Sequence, residues 1–316
     1  MIITLTANPS LDRTIALDEP LRVGEVQSAR GAREDAGGKG INVSRVVAAS
    51  GHPTLAVLPL GADDPFDAAL RASRVAAERV PVTGHARANL TITDRDGVTT
   101  KLNLPGTVRS DDETRAIIAA VVDAAASADW LVLAGSVPPG CGDDFYVRVV
   151  EAVRTAGHGP RIAVDASGAA LHAVVASAGV DLIKPNDEEL AELAGVDIAD
   201  GDDLAAAVRE IARALVPDKV RAALITLGGA GAVLVTADGA WAGVPPPITV
   251  ASTVGAGDSS LAGYLLADVA GLPAPERLRS AIRYGSAAAS LPGTQAPAPD
   301  DLPTGDVPVR ELALRH

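Results

Sequence analysis

A single cysteine, Cys141, leaves this chain of 316 residues without an internal disulfide or a cysteine-based zinc cluster, which fits a reducing cytoplasm. Aromatic residues make up only 2% of it, so a core must be assembled from the Ala, Val, Leu and Ile of an apolar fraction of 47%. Cations are in the minority: 27 Lys and Arg face 40 Asp and Glu, a formal charge of −13. That balance speaks against a nucleic-acid groove and an anionic membrane surface, since both need a cationic face to displace counterions. Acidic small substrates stay open if the few cations are gathered locally. The longest apolar stretch, Ala116 to Gly135, is broken by Asp123 and Asp129, which argues against a membrane span. No signal peptide is expected ahead of the first strand. No internal repeat is found, and length alone admits one or two domains.

Short β-branched runs alternate with Ala-rich segments of helical period, the pattern of parallel strands joined by crossover helices. Buried strands are expected at Ile2 to Thr6, Leu55 to Leu60, Trp130 to Ala134, Arg161 to Asp165, Leu182 to Lys184 and Ala223 to Thr226. Helices are expected near Gly40 to Ser50, Asp112 to Ala126, Asp143 to Ala156, Asp187 to Ala194 and Asp202 to Leu215. The fold class is therefore α/β, a doubly wound, mostly parallel sheet flanked by helices. Residues of about 13–36 and 88–104 instead alternate polar with apolar, with Asp96-Gly97 as a hairpin turn. They predict a small antiparallel β sheet outside the main core: a lid over a site, or an edge whose apolar face pairs with a second subunit. Val233 to Thr236 and Ala240 to Val244, joined by Asp238-Gly239, predict a second hairpin. The prolines from Pro292 onward predict an irregular surface tail. Asp63-Asp64, Asp111-Asp112 and Asp202-Asp203 read as helix caps, and His52, His85 and His172 as surface or turn residues.

Two glycine-rich turns carry the chemistry. In Thr253-Val-Gly-Ala-Gly-Asp258-Ser-Ser-Leu-Ala-Gly-Tyr-Leu265, Gly255 and Gly257 let backbone amides approach an anion at the start of an apolar helix. Asp258 then falls in the first helical turn, where a carboxylate beside a phosphate is costly unless it accepts the proton of an attacking hydroxyl. An aspartate capping a helix entered through a flexible turn accounts for the same residues. Gly37-Gly38-Lys39-Gly40-Ile-Asn42-Val-Ser-Arg45-Val46 opens a second helix, with Lys39 a point charge suited to a phosphate. It is neither a P-loop nor a dinucleotide fingerprint, because its glycine spacing and the residue after Gly-Lys differ. An exposed lysine on a β-to-α turn is its plain alternative.

Together these turns resemble the two signatures of the PfkB (ribokinase-like) carbohydrate kinase family. Thr4-Leu-Thr-Ala-Asn-Pro-Ser-Leu-Asp12 and Val244-Pro-Pro-Pro resemble its phosphosugar branch, and the likeness runs from about residue 2 to 295. The resemblance implies a single ribokinase-like domain over residues 1–316. It implies ATP-dependent phosphorylation of a ketohexose monophosphate, with ATP and Mg²⁺ as cofactors. Fructose 1-phosphate at its C6 hydroxyl comes first, then tagatose 6-phosphate, then fructose 6-phosphate; ribokinase and nucleoside kinase follow. It implies Asp258 as the base and the amides of Gly255, Ala256 and Gly257 as the anion hole. On the nucleotide side it implies Lys184, Asn186, Thr226, Gly228 and Gly231, with Glu189 reaching the metal through water. On the sugar side it implies Asp12, Gly38, Lys39 and Asn42, with Arg87, Lys101 and Ser136 toward the substrate's own phosphate. A homodimer joined through the lid is expected, as is a cytoplasmic location. Only four of the 27 cations are lysines, and Lys39, Lys101 and Lys184 all fall in these segments. Lys184 can equally snorkel at a strand end. A non-catalytic phosphosugar or nucleotide sensor on the same scaffold and a dinucleotide-dependent dehydrogenase are the other readings. The latter lacks its glycine turn, since Asn8-Pro9 stands there.

Overall fold

Short runs that are apolar on both faces can be buried only inside a sheet covered by helices on each side, and this is what the computed structural model shows for residues 1–177, 179–198 and 203–313. The strands are β1 (Ile2–Thr6), β2 (Ser10–Ala16), β3 (Gly31–Gly37), β4 (Thr54–Gly61), β5 (Ala77–Val82), β6 (Arg87–Thr93), β7 (Thr99–Asn103), β8 (Trp130–Ala134), β9 (Arg161–Asp165), β10 (Leu182–Ile183), β11 (Ala222–Thr226), β12 (Ala232–Thr236), β13 (Gly239–Gly243) and β14 (Val309–Glu311). The helices are α1 (Lys39–Ala49), α2 (Phe66–Ala72), α3 (Asp111–Ala125), α4 (Phe145–Thr155), α5 (Gly168–Ser177), α6 (Asp187–Ala194), α7 (Leu204–Arg213), α8 (Ala256–Val269) and α9 (Ala274–Ser290).

Ten strands form the main sheet in the order β14-β13-β12-β11-β10-β9-β8-β1-β4-β5, parallel from β11 to β5 and antiparallel at β12, β13 and β14. Strand order reverses beside β1, whose neighbours are β4 and β8, so a crevice opens above their carboxyl ends. One face is packed by α1, α8 and α9 through Val43, Val47, Leu261, Leu265 and Leu278; α3 to α7 cover the other through Ile117, Phe145, Val149 and Val174. Helix α8 is apolar all round because it lies between the sheet, α1 and α9. Gly263 and Gly285 permit that depth: a Cβ at either position would lie 2.7 Å from Ser280 O or 2.2 Å from Ser260 Oγ.

The second sheet has the order β3-β2-β6-β7. Its outer pairs are antiparallel as expected, but β2 and β6 run parallel, because each leaves the main sheet at the same end. Residues 17–30 form a loop and not strand, while β2 begins earlier than expected, at Ser10.

Three local expectations need correction. Pro65, not Asp63 or Asp64, holds the N-cap position of α2, although Asp64 Oδ1 accepts the Phe66 amide at 2.9 Å. Ser110, not Asp111-Asp112, caps α3, in a box completed by Glu113. Asp203 caps α7 as expected, and Asp202 lies outside the described residues. The proline-rich tail does not stay on the surface: Val307 is buried and β14 adds an edge strand to the main sheet. Among the described residues no helix is long and apolar enough to cross a membrane.

Candidate active site

Lys39, Asn42, Lys184, Asn186, Thr226 and Asp258 gather above the carboxyl ends of β1, β9, β10 and β11. Close backbone approach places the first group. A Cβ on Gly40 would lie 2.8 Å from Leu5 O and 2.5 Å from Thr6 Oγ1, so only glycine lets α1 start against the end of β1. Thr6 Oγ1 accepts the Ile41 amide at 3.0 Å, and Gly38 enters the turn at φ 132°. This fixes the first turn of α1, from which Lys39 and Asn42 both reach toward α8.

Helix α8 begins after Gly255, at φ 78°, and Asp258 sits buried in its first turn. Asn42 Nδ2 donates to Asp258 Oδ2 at 2.8 Å. The Asp258 carboxyl is pushed up to about 6, first by burial and then by the negative charge of Asp165, against the pull of Lys39, Asn42 and Lys184. Asp165, at the end of β9, is fully buried and receives two ammonium groups: Lys39 Nζ lies 2.7 Å from Oδ1 and Lys184 Nζ 3.2 Å from Oδ2. Burial alone favours the neutral acid, yet the two lysines overcome it and hold Asp165 below the ordinary carboxylate value. Asp165 in turn holds Lys39 above the ordinary lysine value. Lys184 Nζ is 3.4 Å from where a Cβ on Gly257 would stand, so this lysine borders the turn that starts α8 instead of snorkelling to solvent.

Beside it, an isolated parallel bridge joins Asn186 to Thr226, bringing the start of α6 against the end of β11. Asn186 caps α6: its Oδ1 accepts the Glu189 amide at 2.6 Å while Glu189 Oε2 accepts the Asn186 amide at 3.0 Å. The Asn-x-x-Glu spacing is thus also a capping box. Gly228 follows in a tight turn at φ 54°, and at Gly231 a Cβ would meet Gly243 O at 2.0 Å. Among the described residues no group of three or more His, Cys, Asp or Glu could hold a metal by itself.

A second group lines the lid hinge. Asp12 packs on Gly37, where a Cβ would lie 2.1 Å from its Oδ2, and accepts from Ser10 at 2.7 Å and Asn89 at 3.0 Å. Burial raises its carboxyl, partly offset by those two donors. An open groove of about 550 Å³ runs between residues 84–88 and 104–107. Arg87 lines it, donating through Nη1 to Leu104 O at 3.0 Å while its buried Nε has no partner. Asn8, in the crevice after β1, donates to Pro105 O at 3.0 Å and to Ser136 Oγ at 3.2 Å, which ties Ser136 to the groove wall. Lys101 is exposed on β7, opposite Thr91 and on the lid face of Asn89 and Asp12.

Asp165, Asn8 and Asn89 were not anticipated. Asp165 could have been found, since a carboxylate ending a buried parallel strand stands where open α/β sheets bind their ligands.

The geometry offers an ionisable base beside a helix N-terminus, cations within reach, and a groove with a spare guanidinium donor at the lid hinge. A carboxylate of that value is expected, as a general base, to make a rate rise with pH through about 6. Asn42→Ala removes a donor to the charged form, so the acid limb of kcat/KM should move up by about one unit. A limb left in place would show that Asp258 is not the group being titrated.

Comparison with known proteins agrees with this geometry. A model of the pfkB family of carbohydrate kinases matches residues 6–301. The 1-phosphofructokinase of Rhodobacter capsulatus is 35% identical, the alignment spanning 95% of this chain and 94% of that protein. The ATP-dependent 6-phosphofructokinase isozyme 2 of Escherichia coli is 32% identical over 95% and 96%. The crystal structure of phosphofructokinase-2 from Escherichia coli in complex with fructose-6-phosphate superposes with a TM-score of 0.84 at 29% identity, covering 95% of this chain and 96% of that one. With the family model, these relatives and the fold all in agreement, the chain belongs to the pfkB family of carbohydrate kinases, a sugar kinase of the phosphofructokinase type that transfers phosphate to a hydroxyl.

Proposed function

We propose that the protein transfers the γ-phosphate of ATP to the C6 hydroxyl of fructose 1-phosphate, giving fructose 1,6-bisphosphate and ADP. The observation that carries this reading is Asp258: a buried carboxylate tuned to about 6, set in the first turn of α8 and hydrogen-bonded to Asn42. It takes the proton of the acceptor hydroxyl, while the amides of Gly255, Ala256 and Gly257 and the helix N-terminus receive the phosphoryl charge. Asp12, Asn42 and Gly38 hold the sugar's hydroxyls. Arg87, Ser136 and Lys101 meet the phosphate that the sugar already carries. Thr226, Gly228 and Gly231 approach the nucleotide, with Lys184 and Asn186 at its phosphates. Most of the rate comes from positioning and charge stabilisation in a slot closed against water by the lid.

Magnesium fits this donor set. Glu189 stands at the start of α6 beside the nucleotide-side residues, where its Oε2 accepts the Asn186 amide and its charge acts on Lys39. One or two carboxylates completed by waters and phosphate oxygens are how this ion binds with nucleotides. Glu189 would hold it through water, and bound there it would neutralise phosphate charge.

A lid-paired homodimer completes the proposal. By strand alternation Leu11, Ile15, Leu90, Ile92 and Leu102 share one face of the lid, opposite to Asp12, Asn89 and Lys101, and Leu102 is 52% exposed. A second copy that covers this face predicts a dimeric mass in sedimentation; a monomer at working concentration would rule it out.

The deciding assay follows ADP release over fructose 1-phosphate, tagatose 6-phosphate, fructose 6-phosphate and uncharged sugars. The highest kcat/KM is expected with fructose 1-phosphate. Fructose 6-phosphate is the second reading, favoured by the name of the Escherichia coli relative. ADP release on none of them, with phosphosugar binding retained, would establish a sensor instead.

A further inference from the structure

We infer that Arg45 is a positioning residue for the base: through one bound water it locks the Asn42 amide with Nδ2 toward Asp258. The inference rests on the reading of Asp258 as the group that takes the acceptor proton.

Asn42 can meet Asp258 with either end of its amide, and the two ends favour opposite states of the acid. Nδ2 donates to Asp258 Oδ2 at 2.8 Å, which favours the carboxylate. Turned over, Oδ1 would accept from the protonated acid and favour the neutral form. What holds the far side of the amide therefore decides how well Asp258 serves as a base.

On that side lies a small cavity walled by Asn42 and Arg45 of α1, Gly255 and Ser259 at the start of α8, and Thr294 in the segment after α9. A water's centre has about 10 Å³ to itself there, close to the least that holds one buried water. Three of the walls carry a buried polar atom with no partner in the protein: Asn42 Oδ1, Arg45 Nη1 and Thr294 Oγ1. These atoms are complementary. Arg45 can only donate, Asn42 Oδ1 can only accept and the hydroxyl does either. One water that accepts from Arg45 and donates to Asn42 and Thr294 satisfies all three. A cation in its place would meet the guanidinium, and a phosphate would not fit.

Arg45 makes no ion pair among the described residues, and the nearby carboxylate of Asp35 on β3 is paired with Arg33 at 2.8 Å. Burial lowers the Arg45 guanidinium, with Asp35 and Asp12 favouring its charge and Arg33 opposing it. A Cβ on Gly293 would lie 3.5 Å from Arg33 Nη1, so the segment after α9 and the base of the lid close on Arg45 together. The charges that face Asp258 itself, Asp165, Lys39 and Lys184, are left in place by substitution at Arg45 or Thr294.

Arg45→Met and Thr294→Val test the link, with Asn42→Ala as the reference. Ionisation of Asp258 is followed by the NMR resonance of its carboxyl carbon, identified by its loss in Asp258→Asn, and again as the acid limb of kcat/KM. Without the lock about one hydrogen bond to the charged form is forfeited, so the midpoint should rise by about 0.5 to 1 unit in Arg45→Met, and by less in Thr294→Val. In Asn42→Ala there is no amide left to orient, and adding Arg45→Met should then move the midpoint by less than about 0.2 units. A crystal structure of the parent should show a water within hydrogen-bond distance of Arg45, Asn42 and Thr294. An Arg45→Met shift of equal size in both backgrounds would make Arg45 only a distant charge and overturn the inference, as would a structure in which Asn42 Oδ1 meets no water. Thr294→Val changes no charge and decides the matter if Arg45→Met folds poorly: a midpoint unmoved there overturns the inference as well. Failure of the parent to phosphorylate any phosphosugar would sink the kinase reading alone, since the carboxyl titration reads the link from Arg45 to Asp258 without turnover.

Discussion

Asp258→Asn is expected to lose ~10²- to 10⁴-fold in turnover and at the same time to make the protein more stable at pH 8. The first effect follows from removing the group that accepts the hydroxyl proton. The second follows from what the fold imposes on that group. Its value rises from 3.8 to about 6 because burial and the charge of Asp165 oppose ionisation. A group raised in this way favours the folded state less as pH climbs from its unfolded value through its folded one. Above about 6 the full cost is present, and two units correspond to about 3 kcal/mol. Asparagine has the same shape, carries no charge and can still accept from Asn42, so it should recover part of that cost, about 1 to 3 kcal/mol. At pH 4 parent and variant should unfold at nearly the same denaturant concentration. Nucleotide binding should persist in the variant, since the turn amides and Lys184 are untouched. A variant that is both inactive and less stable at pH 8 would mean that Asp258 serves the fold, and the assignment of a base would fail. A variant with near-normal turnover would remove Asp258 from the mechanism outright.

The same residues show how much of the molecule could be read beforehand. Strands β1, β4, β8, β9 and β11 were legible because each is a short apolar run too brief for a helix, and the helices between them keep an apolar stripe. Asp258, Asn42 and Lys39 were legible as members of two glycine turns. That they meet was not, because contact between residues 42 and 258 depends on α1 and α8 packing on one face of the sheet. Helix α9 escaped notice since its arginines and serines interrupt the apolar stripe, while its small residues pack against α8. Strand β14 escaped because prolines surround it, and prolines are tolerated near an edge. Asp165 was read only as the last residue of a strand: nothing local to Val-Asp-Ala-Ser announces that two lysines, 126 residues before it and a strand away, will share its carboxylate. Charge pairing over that separation is a tertiary fact.

That shared carboxylate yields the second large expectation. Asp165→Asn leaves Lys184, 5% exposed, and Lys39 as two like charges with no buried anion between them. Removing one partner from a buried ion cluster costs about 3 to 5 kcal/mol, and the partial exposure of Lys39 favours the lower figure. The loss should itself depend on pH. Asp165 is held below its unfolded value of 3.8, so it stabilises the fold fully above that value and ceases to as pH falls through its lowered native one. Parent and variant unfolding midpoints should therefore differ most near neutrality and converge in strong acid. Because the deficit is one of negative charge, a polyanion can replace it: saturating ATP or tripolyphosphate should raise the melting temperature of the variant by more than that of the parent. The acid limb of any residual activity should move below about 6. Asp258 is relieved of a neighbouring negative charge, and the two lysines then act on it undivided. Both changes push in one direction, so a limb that moves upward, or a variant as stable as the parent at pH 7, would show that Asp165 does not hold the two lysines together.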